Sequence, residues 1–267
     1  MVRLWCVAAA FLALTASLIP FQWLSVRLRW PSRRWIPNVY HRLVCRLIGV
    51  RIRVVGACAR ERPLLVVANH VSWLDIPVVT AVTPVVFVAK REIASWPFFG
   101  LLAKLQRSVF VDRNRRYQTA AANAEIASRM AEGDPVVLFA EGTSSDGNRV
   151  LPFRSALIGA AREALAEAEH VERVLIQPLS IAYVGYQGLP AGRQHRPLLA
   201  WYGDLDLLPH LAGILRRGGI DVVVTWGQPI AYETDADRKA LARTLETAVR
   251  RLTVTALRGR PLAAAPG

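Results

Sequence analysis

A histidine and an aspartate stand five positions apart in Asn69-His70-Val71-Ser72-Trp73-Leu74-Asp75. General base catalysis needs these two residue types: an imidazole to take a proton near neutral pH and a carboxylate to hold its tautomer. In a continuous helix that offset would turn the side chains well apart. They can meet if His70 lies in a loop and Asp75 in the first turn of a helix, which nearby Pro77 would suit. The same residues also read as a structural loop histidine followed by an aspartate that caps a helix.

Two further loops carry reactive residue types. Phe139-Ala140-Glu141-Gly142-Thr143-Ser144-Ser145-Asp146-Gly147 leaves an apolar run and crowds small and polar residues together. Backbone N–H groups there can face an anionic or hydroxylated ligand, or simply make a turn. No Gly-Lys-Ser/Thr follows, which excludes a P-loop. Asp146 stands where a nucleophile elbow needs its second glycine. Phe110-Val111-Asp112-Arg113, continued by Asn114, Arg115 and Arg116, puts an arginine at a strand end. Such a group clamps phosphate or carboxylate, or forms a solvated basic loop.

All three loops need a scaffold that delivers them to one place. Pro63–Ala68 reads as a short buried strand ending at Asn69-His70. Strands are also expected at Val50–Val55, Val85–Ala89, Ser108–Val111, Val136–Phe139, Val174–Ala182 and Asp221–Trp226. Helices are expected at Asn38–Ile48, Tyr117–Glu132, Ser155–Glu169, Leu207–Arg216 and Ala236–Leu252. The alternation predicts an α/β fold with a mixed, largely parallel sheet flanked by helices. A histidine leaving a strand end then lies at the sheet's carboxyl edge, where open α/β folds place their sites.

The 267-residue chain is 53% hydrophobic and 20% charged, with a mean hydropathy of +0.26. That points to a globular domain with membrane contact and excludes disorder. From Leu4 to Phe21 no charged residue occurs, and Trp23, Trp30 and Trp35 follow, interleaved with Arg27, Arg29, Arg33 and Arg34. This predicts a membrane-anchoring helix with an interfacial segment over residues 1–37. A single catalytic domain over 38–258 and a frayed tail over 259–267 complete the chain. The alternative for the first segment is a cleaved signal peptide; the cationic stretch after it opposes translocation. The net charge of +14 suits an anionic membrane or nucleic acid. Tryptophans gathered at the anchor, and no strongly basic helix, speak against nucleic acid. Three cysteines, Cys6, Cys45 and Cys58, form no CxxC pair, so neither a disulfide framework nor a zinc site is expected.

Taken together, the three blocks resemble the glycerolipid acyltransferase family that includes the 1-acylglycerol-3-phosphate acyltransferases. The family's His-x4-Asp motif matches Asn69 to Asp75, its Phe-x-Asp-Arg block Phe110 to Arg113, and its Phe-Pro-Glu-Gly-Thr-Arg-Ser block Phe139 to Ser145. A looser block matches Ile176-Gln177-Pro178-Leu179. The resemblance implies that His70 is the general base and that Asp75 orients it. It further implies that Arg113, Glu141, Gly142, Thr143, Ser144 and Arg149 line the acceptor headgroup. Ala140 replaces the family's proline, and Ser144 replaces an arginine that the family directs at phosphate; Arg149 and Arg154 lie nearby as substitutes. The stretch Glu141–Ala156 is similar to the branch that includes lyso-ornithine lipid acyltransferases.

The resemblance implies transfer of a fatty acyl group from an acyl thioester, of acyl carrier protein or CoA, to the free hydroxyl of a lysolipid. No cofactor or metal is expected. Lysophosphatidate is the first choice of acceptor, with lyso-ornithine lipid close behind. The implied location is the inner membrane, with the catalytic domain facing the cytoplasm. A hydrolase using water in place of a lipid hydroxyl is the nearest enzymatic rival.

Overall fold

Continuous apolar runs become strands buried on both faces, and one of them, placed centrally, carries the histidine. The computed structural model describes residues 2–111, 119–156, 158, 174–232 and 237–259. Two helices open the chain, α1 (Val2–Arg27) and α2 (Ser32–Ile48). There follow β1 (Val50–Val55), β2 (Leu64–Ala68), α3 (Asp75–Val82), β3 (Val86–Lys90), α4 (Phe99–Leu105), β4 (Val109–Val111), α5 (Thr119–Ala131) and β5 (Val136–Phe139). The second half holds β6 (Val174–Tyr186), β7 (Leu189–Pro190), α6 (Leu207–Arg217), β8 (Ile220–Trp226), β9 (Ile230–Tyr232) and α7 (Arg238–Leu257).

Among the described residues the sheet has the order β1-β8-β6-β2-β5-β3-β4, with β7 and β9 added along β6. Strands β6, β2, β5, β3 and β4 run parallel, and β8 pairs antiparallel to β6. The fold is therefore α/β with a mixed, mostly parallel sheet. Alternating side chains of β2 face two cores. Leu64, Val66 and Ala68 pack toward α1, α2, α3 and α6. Leu65 and Val67 pack toward α5 and α7. Ala68 is in register with Phe139 on β5. His70 and Glu141, each two residues further along, therefore emerge at the same level of the sheet's carboxyl edge.

Pro178 and Pro37 sit inside elements, each accommodated differently. Pro178 sits between the stretch of β6 paired with β9 (Val174–Ile176) and the stretch paired with β8, which begins at Leu179. Pro37 lies inside α2, which starts six residues before the expected Asn38. Its ring leaves the Arg33 carbonyl without the usual i→i−4 donor, and Gln22 Nε2 of α1 donates to that oxygen at 3.1 Å.

Helix α1 is long and apolar enough to cross a membrane, yet it is held to the body near both ends. Arg3 donates to the carbonyls of Leu215 and Ile48. Gln22 Nε2 donates to Leu105 O at 2.7 Å, and Thr15 meets the Tyr40 hydroxyl at 2.8 Å. Arg3, Thr15 and Gln22 thus face protein, while Trp5, Leu12, Phe21 and Trp23 face outward. Arg33 and Arg34, expected among the interfacial cations, are instead paired with Glu132 and Asp134. Buried Arg107 bridges the same two carboxylates.

Element ends differ from expectation where a strand partner or a cap intervenes. β6 continues past Ala182 because β8 pairs with it to Tyr186. α7 begins at Arg238, where the Asp237 side chain accepts from Lys239 N, and runs to Leu257. Helix α4 and the 3₁₀ turn Arg91–Ser95 were not foreseen, being too short to show a period. Most of the helix expected at Ser155–Glu169 lies outside the described residues.

Candidate active site

Asn69 ends β2 by pairing as a strand residue would. Its Nδ2 donates to Ile181 O at 2.9 Å, and its Oδ1 accepts from Ile181 N at 2.8 Å. A side-chain amide thus replaces the next ladder step and frees the backbone to turn. His70 follows in that turn and Asp75 opens α3, so the two meet: Nδ1 lies 2.7 Å from Asp75 Oδ2.

Asp75 is fully buried. Its Oδ2 also accepts from Val71 N at 2.7 Å and Ser72 N at 3.0 Å, and its Oδ1 accepts from the Tyr183 hydroxyl at 2.7 Å. The two backbone N–H groups can only donate, so Oδ2 is an acceptor. Nδ1 of His70 therefore carries the hydrogen, and Nε2 holds the free lone pair. Burial, and then the Asp75 carboxylate, push the Tyr183 hydroxyl well above its usual range, so it remains a donor. Asp75 is not the cap of α3, whose N-cap is Leu74 without a side-chain cap bond; its Oδ2 instead closes the preceding turn and receives the ring N–H.

The ring is fixed from other sides as well. It stacks on Phe139 at 4.1 Å between centroids, and Phe139 stacks on Phe87 at 5.8 Å. The His70 N–H donates to Glu141 Oε1 at 3.1 Å, and its carbonyl accepts from Ser145 N at 2.9 Å. The side chain keeps 20% of its surface open, so a small reacting group can reach it.

The loop after β5 is distributed differently from the expectation. Glu141 is 2% exposed; its carboxyl braces the His70 backbone and does not line an opening. Gly142 turns the chain at φ 73°, a conformation glycine adopts without strain. Thr143 and Arg149 are exposed. Ser144 turns its hydroxyl onto the Trp201 carbonyl. Arg113 lies outside the described residues. Sequence reasoning passed over Tyr183, Asn69, Phe139 and Trp201, whose partners are remote in the chain. The Trp201 N–H donates to Val71 O at 3.0 Å, so the segment before α6 forms another wall.

Burial pushes the Glu141 carboxyl up to about 8, against the favourable His70 and Leu151 backbone N–H groups. A folded value above the unfolded one stabilises the protein at low pH, and that contribution is lost as pH rises from about 4.5 to about 8. Glu141→Gln cannot ionise and can still accept from His70 N–H. Its stability relative to wild type is expected to rise by about 3 kcal/mol between pH 5 and 8. Unfolding midpoints across that range check this; parallel curves would show that Glu141 does not titrate there.

Residues 51–182 match the family described as Acyltransferase. The chain is 53% identical to a lyso-ornithine lipid O-acyltransferase of Brucella abortus, covering 98% of this chain and 97% of that protein. The chain belongs to the acyltransferase family. A lyso-ornithine lipid O-acyltransferase of Rhizobium meliloti is 48% identical to this acyltransferase, covering 94% of this chain and 85% of that one. The crystal structure of the 1-acyl-sn-glycerophosphate acyltransferase of Thermotoga maritima superposes with a TM-score of 0.67 over 98% of both chains. At 21% identity that likeness establishes the fold alone. The matched span holds His70, Asp75 and Glu141 but stops one residue short of Tyr183. This acyltransferase therefore presents its family motif as one hydrogen-bonded turn.

Proposed function

We propose that this acyltransferase is a lyso-ornithine lipid O-acyltransferase, moving a fatty acyl group from a thioester onto the free hydroxyl of an amide-linked hydroxy-fatty acyl chain. Near full-length similarity to two proteins of that name carries the reading. It reverses the order of acceptors that the motifs alone suggested. The absence of arginine at Ser144, whose hydroxyl is tied to Trp201 O, agrees with an acceptor that lacks phosphate.

His70 Nε2 takes the proton from the acceptor hydroxyl as its oxygen attacks the thioester carbonyl. Asp75 holds the ring and stabilises the imidazolium that forms. The C–S bond then breaks, and the imidazolium returns the proton to the departing thiolate. Base catalysis of this kind contributes ~10²–10⁴-fold. Placing two lipids at one surface supplies much of the remainder by proximity.

The donor is the thioester of acyl carrier protein or CoA, both anionic and matched to a net charge of +14. Helix α1, about 39 Å long and tied to the body near both ends, lies along one leaflet with its tryptophan-rich side in lipid. The cytoplasmic face of the inner membrane suits the exposed Arg27 and Arg29 at its end.

An acceptor panel in mixed micelles tests the reading: lyso-ornithine lipid, lysophosphatidate and other lysophospholipids, with one acyl thioester. Lyso-ornithine lipid is expected to give at least a tenfold higher kcat/KM than lysophosphatidate. The opposite preference returns the acceptor to lysophosphatidate. Release of free fatty acid without acylated product would make the protein a hydrolase.

A further inference from the structure

One charged cluster beside the base is not used by the mechanism above. Asn148 joins a cation to an anion: its Oδ1 accepts from Arg196 Nη1 at 3.2 Å, and its Nδ2 donates to Asp146 Oδ2 at 3.2 Å. The same Nδ2 donates to the Arg193 carbonyl at 3.0 Å, and Asn148 N donates to Asp146 Oδ1 at 3.0 Å. Among the described residues no ion pair joins Arg196 to Asp146, and Arg196 Nε is buried without a hydrogen-bond partner. The amide therefore spaces two opposite charges that a direct contact would neutralise.

The cluster adjoins the catalytic turn. Between Ser145, whose N–H holds the His70 carbonyl, and Asn148 lies Gly147, at φ 76°. A Cβ on Gly147 would lie 3.2 Å from Val71 Cγ1 and 3.5 Å from Arg196 Cβ. Backbone at this position must thus be bare for the cluster to approach the residue after His70. The Arg196 guanidinium is held below its usual range by burial first and by the Arg193 cation second, with Asp146 opposing. An anion bound there would relieve both.

We infer that Arg196 and Asp146, spaced by Asn148, are the headgroup-recognition site: Arg196 takes the carboxylate and Asp146 the side-chain ammonium of an amino-acid lipid. This rests on the lyso-ornithine lipid reading and names the residues that select its zwitterion. A phosphate would meet the Asp146 carboxylate beside its arginine, whereas a zwitterion satisfies both charges. Guanidinium and carboxylate form a two-point fork, and the ammonium adds a second anchor that strengthens binding of the zwitterion.

The test measures KM and kcat for wild type, Arg196→Gln and Asp146→Asn at saturating donor, with three acceptors. These are lyso-ornithine lipid, its methyl ester, which lacks the carboxylate, and its side-chain N-acetyl derivative, which lacks the ammonium. On the native acceptor each variant is expected to raise KM at least tenfold with kcat within twofold. Arg196→Gln matches wild type on the methyl ester, and Asp146→Asn matches it on the N-acetyl derivative. Arg196→Lys, which keeps the charge, recovers part of the loss. If the variants weaken all three acceptors alike, the cluster only staples two loops and the inference fails. Unchanged KM on the native acceptor also overturns it. Wild type that turns over lysophosphatidate and not lyso-ornithine lipid overturns the function and the site together. Wild type that uses lyso-ornithine lipid while the variants do not discriminate overturns the site alone.

Discussion

His70→Ala is expected to lower acyl transfer by ~10²–10⁴-fold while leaving the protein folded. The loss follows from removing the free lone pair on Nε2. The stability effect is small because the turn is held mainly by groups the substitution keeps. The His70 N–H still donates to Glu141, its carbonyl still accepts from Ser145, and Asp75 still closes the turn through Val71 N and Ser72 N. What is lost structurally is one partly exposed ring on Phe139 and its Nδ1 hydrogen bond to Asp75, which keeps three other donors. Initial rates with thioester and lyso-ornithine lipid, alongside an unfolding midpoint, separate the two effects. Transfer within tenfold of wild type would mean that another group takes the proton.

Asp75→Ala is expected to cost both activity and stability. The carboxylate is inaccessible to water and accepts from four donors: His70 Nδ1, Val71 N, Ser72 N and Tyr183 OH. Removing it leaves those donors buried without partners, a cost of about 3–5 kcal/mol. The imidazole loses its tautomer as well as its orientation, so transfer falls by at least ~10²–10⁴-fold. Asp75→Asn keeps the shape but must turn an amide N–H₂ toward one of the donors; it separates the electrostatic part from the packing part. Tyr183→Phe removes one donor and leaves three, so its stability cost is ~1 kcal/mol and its rate loss the smallest of the series. Denaturant midpoints and kcat for the three variants should rank Asp75→Ala, Asp75→Asn, Tyr183→Phe. Near-normal values for Asp75→Ala would remove the carboxylate from the mechanism.

His70→Ala and Asp75→Ala thus divide chemistry from architecture. In the proposed mechanism the histidine acts through a lone pair that the fold does not need. The aspartate is a structural centre to which that mechanism also gives the proton's direction. Of the two readings of Asp75, the helix cap is not realised, since α3 is capped at Leu74 without a side-chain bond; Oδ2 closes the turn before the helix and meets the ring.

Local signals in the chain were strong where burial is simple. The run Pro63–Ala68 announces a strand because a parallel strand with both faces covered has no polar alternation to obscure it. The apolar stretch Leu4–Phe21 announces a long helix. The His-x4-Asp spacing identified the two residues to watch, and the polar loop after Phe139 identified their neighbourhood. Helix α4 escaped because seven residues are too few for a period to show. Helix α2 begins at Ser32 and not at the expected Asn38, with Gln22 of α1 serving the Arg33 carbonyl that Pro37 leaves without a donor.

By itself, then, the sequence determined the α/β class, the buried strand before His70, the apolar first helix and the His70–Asp75 spacing, because each depends on which side chains leave water within one short segment. Only the tertiary structure decided what those residues touch. It brought Tyr183 to Asp75 across 108 positions, turned Ser144 toward Trp201, withdrew Glu141 behind His70, and paired Arg33 and Arg34 with acids of the body. Hydrogen bonds and ion pairs between distant segments depend on sheet register and crossover, and no local periodicity carries that information.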